Sequence, residues 1–263
     1  MASRKEQKEE ARARRLAEEQ AHAVRARRDR RLRMFGGVGV LAVAIVAVLI
    51  AVSSGGASRA NGLAHGKTKT QTVATVDKLL AGIPQSGATL GNPSAPVTMT
   101  YYGDLECPVC RDFTLTGGFP QLVANEVRAG KVKVVYKSFQ TATADPNVFK
   151  LQQAAALAAG QQQHLWNFTE LFYREQGVEG SGYVNDAYLN GLAQQVTGLN
   201  FGKWSTDRGN SAVATQVITD QQAGASAGVN ATPTLVFNGP KGSSSLSGSA
   251  AYTDLQAAIK KVA

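Results

Sequence analysis

Cysteine and histidine are nearly absent from this 263-residue chain, which has two of the first and three of the second. Two cysteines exclude a disulfide-stapled scaffold, and a four-ligand zinc site would need partners that the chain hardly has. His22, His65 and His164 are scattered and lack ligand spacing, so neither a metal nor another cofactor is expected. No internal repeat is present. Charge is also unevenly supplied. Residues 1–33 hold twelve Lys or Arg against six Asp or Glu, a net +6, which leaves +3 of the total +9 for the remaining 230 residues. That basic segment has no base-reading aromatics, so no nucleic-acid partner is expected and it reads as a solvated topogenic tail.

Directly after the basic segment comes a run of 19 uncharged residues, 34–52. As a helix it spans roughly 28 Å, close to the ~30 Å hydrocarbon layer. The spacing predicts one transmembrane helix with a cytoplasmic N-terminus and an extracytoplasmic C-terminal part. The run exceeds the usual signal core of about 7 to 15 residues, which favours an anchor over a cleaved signal peptide. Ala51-Val52-Ser53 keeps cleavage open as the alternative. Residues 53–87 are rich in Ser, Gly, Ala, Thr and Lys and read as a flexible tether, with one short helix near Val76 to Leu80. The globular part is then 88–263, enough for one domain with a core of its own.

The two cysteines stand together in Cys107-Pro108-Val109-Cys110, after a strand-like run and at a helix start. Sulfurs at i and i+3 on a first helical turn can close a small ring that an outside thiolate opens. The free N–H groups and positive dipole end of that helix stabilise a thiolate at Cys107, the attackable sulfur. Cys110, one turn inside, is the resolving thiol. Pro108 suits the first helical position, where its missing N–H costs no bond. Two incidental cysteines, or half of an intermolecular metal site, are the bland alternatives.

Val97–Gly103 and Lys131–Phe139 read as strands with one helix-length segment between them, a βαβ unit with parallel strands. Gly117, Gly118 and Pro120 are expected to kink the intervening helix. A helical insertion is predicted over about 143–226, with amphipathic stretches at Val148–Leu157 and Leu165–Phe172 and further helices at about 185–197 and 201–225. The period returns to strand at Thr234–Asn238, followed by a Gly239-Pro240 turn, a weak strand near Ser244–Ser247 and a closing helix at 251–262.

A CxxC after the first strand, a long helical insertion and a Thr232-Pro233-Thr234 entering a hairpin succeed one another in an order that resembles the DsbA-like thioredoxin-fold oxidoreductases of bacteria, membrane-anchored type. The resemblance extends over nearly the whole globular part. It includes Ala95-Pro96-Val97, residues 102–110, Lys131–Phe139, Ala154–Gly160 with Leu165-Trp166, and Gly228–Gly239. It implies an α/β thioredoxin fold with a helical insertion and a cis bond between Thr232 and Pro233, with the proline facing the CxxC. The residues alone favour trans. It also marks three departures. Strongly oxidising members carry Pro-His between the cysteines where this chain has Pro108-Val109, which predicts a less oxidising pair. Asp104 and Glu106 are expected to disfavour the Cys107 thiolate, with Arg111 partly offsetting them. The position six before the first cysteine, often a buried acid in this fold, is Tyr101, so proton handling at Cys110 needs water or another group.

The expected function is a membrane-anchored, extracytoplasmic thiol-disulfide oxidoreductase that introduces disulfides into cysteine-containing exported proteins. A quinone-linked membrane partner would reoxidise it. A reductase or isomerase with the same chemistry, and a non-catalytic redox-sensing or peptide-binding module, are the alternatives.

Overall fold

The computed structural model describes Leu63 and residues 66–263. The basic segment 1–33 and the expected membrane helix 34–52 lie outside the described residues. Among the described residues, no helix is long and apolar enough to cross a membrane. The described residues open with helix α1 (Gly66–Leu80) and two short strands, β1 (Gln85–Ser86) and β2 (Thr89–Leu90). Next come β3 (Val97–Gly103), α2 (Pro108–Leu115), α3 (Phe119–Leu122) with a π-helical turn at Val123–Val127, and β4 (Val132–Ser138). Five helices come after it: α4 (Pro146–Gly160), α5 (Leu165–Arg174), α6 (Asp186–Ala193), α7 (Phe201–Arg208) and α8 (Ser211–Ser226). The hairpin β5 (Thr234–Gly239) and β6 (Gly242–Ser247) and the helix α9 (Tyr252–Val262) close the fold.

The six strands form one sheet in the order β1-β2-β4-β3-β5-β6. β3 is central, parallel to β4 from Val97 beside Val132 to Gly103 beside Ser138, and antiparallel to β5. In β4 the residues Val132, Val134, Tyr136 and Ser138 alternate into the core, the period-2 pattern of a strand packed more heavily on one face. Tyr101 of β3 is fully buried, edge-on to Phe113 at 5.4 Å and to Tyr136 at 5.6 Å between ring centroids. Trp166 of α5 stacks on Phe119 at 5.4 Å. These rings tie the sheet, the cysteine-bearing helix and the insertion into one core.

The structure departs from the sequence reading in three places. The tether expected to reach residue 87 ends much earlier, because α1 is a 15-residue helix whose Val76 and Leu80, with Ile83 just beyond, join the main core. Its C-terminal carbonyls are capped from a distance: Arg128 Nη1 donates to Ala81 O at 2.7 Å and Nη2 to Leu79 O at 2.9 Å. Long-range packing of a mostly polar stretch is what local composition could not reveal. The expected kink is a full break between α2 and α3. At Gly118 an added Cβ would lie 2.8 Å from the Tyr252 backbone nitrogen, so the close approach of α9 requires glycine there. Residues 201–225 are two helices, because Asn210 starts a new one, its side chain accepting from Ala212 N at 2.9 Å.

If residues 66–83 are part of the folded unit, Leu80→Ala destabilises the protein by about 2–4 kcal/mol, the usual cost of emptying a buried leucine site. Urea unfolding of the two proteins measures this; a tether would give no difference.

Candidate active site

Gly103 ends β3 with its backbone against Tyr136: a Cβ there would sit 2.7 Å from that ring. The chain then turns through Asp104, Leu105 and Glu106 and enters α2 with Cys107 as its N-cap. Cys107 has extended backbone angles (φ −67°, ψ 118°), and its Sγ accepts from Cys110 N at 3.4 Å, as a serine or aspartate oxygen would at an ordinary cap. Pro108 occupies the first turn, and Val109 is 40% exposed beside the sulfurs. Both cysteines are free thiols, Cys107 4% exposed and Cys110 fully buried. The Thr232-Pro233 bond is cis, and the Cys107 thiol donates to Thr232 O at 3.3 Å across 125 residues of sequence.

The two sulfurs are driven in opposite directions. Cys107 is lowered from 9.0 to about 6, chiefly by hydrogen bonding from the Cys110 thiol. Burial opposes that shift, while the Thr232 side chain and the N–H groups of Cys110 and Val109 assist it. Cys110 is pushed well above 9.0, first by burial and then by the neighbouring Cys107. A pair split in this way has one thiol ready to ionise near neutrality and one held protonated.

Under Cys110 the walls are phenolic. The Tyr101 hydroxyl lies within hydrogen-bond distance of Cys110 O at 3.3 Å, Thr114 Oγ1 at 3.1 Å and the Tyr173 hydroxyl at 3.4 Å, sharing its one proton among them. The Tyr173 hydroxyl reaches Asp104 O at 3.4 Å. The Tyr136 hydroxyl shares its one proton between Gly103 O at 3.1 Å and Gln153 Oε1 at 3.2 Å. Burial pushes all three phenols well above their ordinary value, so they remain neutral hydroxyls. Tyr101 therefore stands where this fold often has an acid, as part of a hydroxyl cluster that brings no charge to Cys110.

The expected repulsion of the thiolate by Asp104 and Glu106 is not what the structure has. Asp104 is fully buried, and its carboxylate accepts from the backbone N–H groups of Glu106, Thr141, Ala142 and Thr143. It also accepts from Thr143 Oγ1 at 2.5 Å and Gln152 Nε2 at 3.2 Å. Its charge is spread over six donors that pin residues 141–143 beside the cysteines. Glu106 is almost wholly buried, and burial raises its pKa, so less of it carries charge; the Thr143 hydroxyl and the Gly180 backbone partly hold the shift down. Arg111 lies exposed on α2, and its charge is felt at the Tyr183 phenol. None of these three is among the leading causes of the Cys107 shift.

Sequence reading overlooked Thr141, Thr143, Gln152, Tyr173 and Gln176. Gln176 Nε2 donates to Leu105 O at 2.7 Å and Cys107 O at 3.2 Å, tying the segment after α5 to the redox loop. Gln152 and Gln153 had one available signal, two glutamines inside an Ala-rich helical run, where a buried amide needs a polar partner. The threonines had none.

The family profile described as thioredoxin matches residues 85–261. A sodium/proton antiporter, NhaA 1 of Mycolicibacterium gilvum, is 33% identical over 171 residues, 62% of this chain and 25% of the antiporter. Disulfide bond formation protein D of Bacillus subtilis is 26% identical over 154 residues, 57% of this chain and 66% of the relative. This chain thus spans a quarter of the first relative and just under two thirds of the second. Among solved structures, oxidised BdbD of Bacillus subtilis matches with a TM-score of 0.58 at 23% identity, covering 68% of this chain and 95% of BdbD. A thioredoxin-like oxidoreductase of Silicibacter pomeroyi matches at 0.54 with 24% identity, over 70% and 95% of the two chains. With the CxxC at the N-terminus of α2, the cis proline against it and the helical insertion, the chain belongs to the thioredoxin family.

Proposed function

We propose that the chain donates its Cys107–Cys110 disulfide to cysteine-containing exported proteins. The observation that carries this reading is the asymmetry of the two thiols: Cys107 lowered to about 6, Cys110 buried over neutral phenols and raised. A substrate thiolate attacks Cys107 Sγ, the intramolecular S–S bond breaks, and Cys110 leaves as a thiolate that takes up a proton. A second substrate thiolate then attacks the substrate sulfur of the mixed disulfide. The substrate disulfide forms and Cys107 departs as a thiolate, a good leaving group because its pKa is low. The competing reaction, attack of Cys110 on Cys107, would expel the substrate still reduced. It needs a deprotonated Cys110, which burial opposes even after the Cys107 charge is gone.

Each cycle leaves two electrons on the protein. A quinone-linked partner in the membrane would accept them, and an anchor at 34–52 would keep the domain near it. The basic segment before that apolar run supports an extracytoplasmic site for the domain. So does the likeness to disulfide bond formation protein D.

The second reading, a reductase or isomerase, draws on one observation. A Cys107 value of about 6 is nearer the ~7 of thioredoxin than the ~3.5 of DsbA, in line with the missing Pro-His histidine. That supports a pair milder as an oxidant than DsbA and makes the direction of net flux a measurable matter of potential.

Oxidised wild-type protein is expected to oxidise a reduced two-cysteine peptide over many turnovers when an oxidant is supplied. Cys107→Ser abolishes this, and Cys110→Ser accumulates a mixed disulfide visible on non-reducing gels. Retention of peptide oxidation by Cys107→Ser overturns the reading, and stoichiometric reaction without turnover favours a sensor.

Alkylation of the reduced protein by iodoacetamide should rise with pH through a midpoint near 6 and go to Cys107, leaving Cys110 unmodified. About nine tenths of Cys107 is then thiolate at pH 7. Because the folded value is depressed below the unfolded one, the stabilisation is fully present above about pH 9 and lost as pH falls through about 6. The unfolding midpoint of the reduced protein, measured against the oxidised form, should therefore climb across that window.

A further inference from the structure

Helices α4 and α8 of the insertion leave a hollow between them, away from the cysteines. Lys150, Leu151 and Ala154, at i, i+1 and i+4, line it from one face of α4. Ala214, Val217 and Ile218, at i, i+3 and i+4, supply the wall from α8. Alanines at 154 and 214 leave space that longer side chains would take up. The cavity has a volume of about 380 Å³, in the ~300–1,000 Å³ range of ligand pockets. At the ~30 Å³ that a water molecule occupies in the liquid, it has room for about a dozen non-hydrogen atoms.

Its wall is apolar and open to solvent. Val217 belongs to the main core, Leu151 and Ala154 pack against that core half-buried, and Ile218 is 51% exposed. Apolar surface left wet in a concave site gains by being covered.

Both charged side chains in the lining are cations, Lys150 and Arg208. Lys150 is exposed and takes part in no ion pair among the described residues. Arg208, the last residue of α7, is held in place: Nη2 donates to Asp186 Oδ1 at 2.6 Å, Nη1 to Asn190 Oδ1 at 3.1 Å, and the guanidinium lies 4.8 Å over the Trp204 ring. The Asp186 side chain is 73% exposed, so water screens that pair and leaves Arg208 an uncancelled field. The Arg208 Nε–H is buried with no acceptor among the described residues, whereas nearly every buried donor in a folded protein has one. A cation already fixed in position costs a ligand little ordering. An anionic head at this cavity meets two positive groups and no negative one; a neutral ligand uses neither.

We infer that the cavity binds an amphipathic monocarboxylate: an apolar chain of about eight to ten carbons along Leu151, Val217 and Ile218, with its carboxylate toward Lys150 and Arg208. The site shares no residue with the redox pair and its surroundings, and the inference does not rest on the redox reading.

Full-length protein is irradiated with a decanoic acid that carries a diazirine on its chain, and the labelled peptides are mapped by mass spectrometry. Label is expected to saturate, to fall within 147–154 and 211–218, and to be displaced by excess octanoate but not by octan-1-ol at the same concentration. Lys150→Glu is expected to lower labelling at subsaturating probe about tenfold, and Lys150→Arg to retain it. Ala214→Phe fills the cavity and is expected to abolish labelling. Both positions are exposed, so neither change threatens the fold. Label elsewhere in the chain, equal displacement by octan-1-ol, or undiminished labelling of Ala214→Phe or Lys150→Glu overturns the inference.

Discussion

The sulfur of Cys107 fills the place of a capping oxygen at the N-terminus of α2, and the geometry around it derives from that one substitution of sulfur for oxygen. The first-turn N–H groups of Val109 and Cys110 have no carbonyl partners within the helix, so they are available to a negative charge at the cap. Pro108 removes one donor that would otherwise compete for water and fixes the entry angle. The same first turn carries Cys110 inward, over the Tyr101 hydroxyl, where it is fully buried. One helix start therefore creates both halves of the asymmetry, an ionisable sulfur at the helix cap and a protonated sulfur one turn deeper.

The remainder of the fold supports that start from three directions. β3 delivers Gly103 with the backbone close to Tyr136 and ends where the redox loop must begin. The buried carboxylate of Asp104 gathers the N–H groups of 141–143 and turns the chain after β4 back across the site. The hairpin β5-β6 brings Thr232 and its cis bond to Pro233 against Cys107. A buried anion with six donors is costly to disturb, because any donor withdrawn leaves charge uncompensated in a dry interior. In this protein Asp104 organises structure, and the charge that governs reactivity is at the helix start.

Several features were legible before any coordinate. The spacing of Cys107 and Cys110, Pro108 at the first helical position, the strands 97–103 and 131–139, and the helix-rich span before Thr234 are local signals, carried by residues close in sequence. Residues 66–80 were misread because their packing depends on Val76 and Leu80 meeting α5 and on Arg128 reaching across to Leu79 and Ala81, none of which leaves a periodic trace in a polar stretch. The electrostatic roles of Asp104 and Glu106 were misjudged for a related reason: proximity in sequence to Cys107 says nothing of where a carboxylate points.

By itself the sequence carried the reading of thiol-disulfide exchange, since two sulfurs at helical spacing stand together at a helix start, and it pointed to Cys107 as the sulfur that leads. The tertiary structure alone decided the pKa of each thiol and the company they keep. Thr141 and Thr232 are 91 residues apart, and Cys107 and Thr232 are 125 apart. Hydrogen bonds that close loops of that length exist only once the core has formed, because the ordering of the chain must be offset by burial before a single polar contact can be held in place.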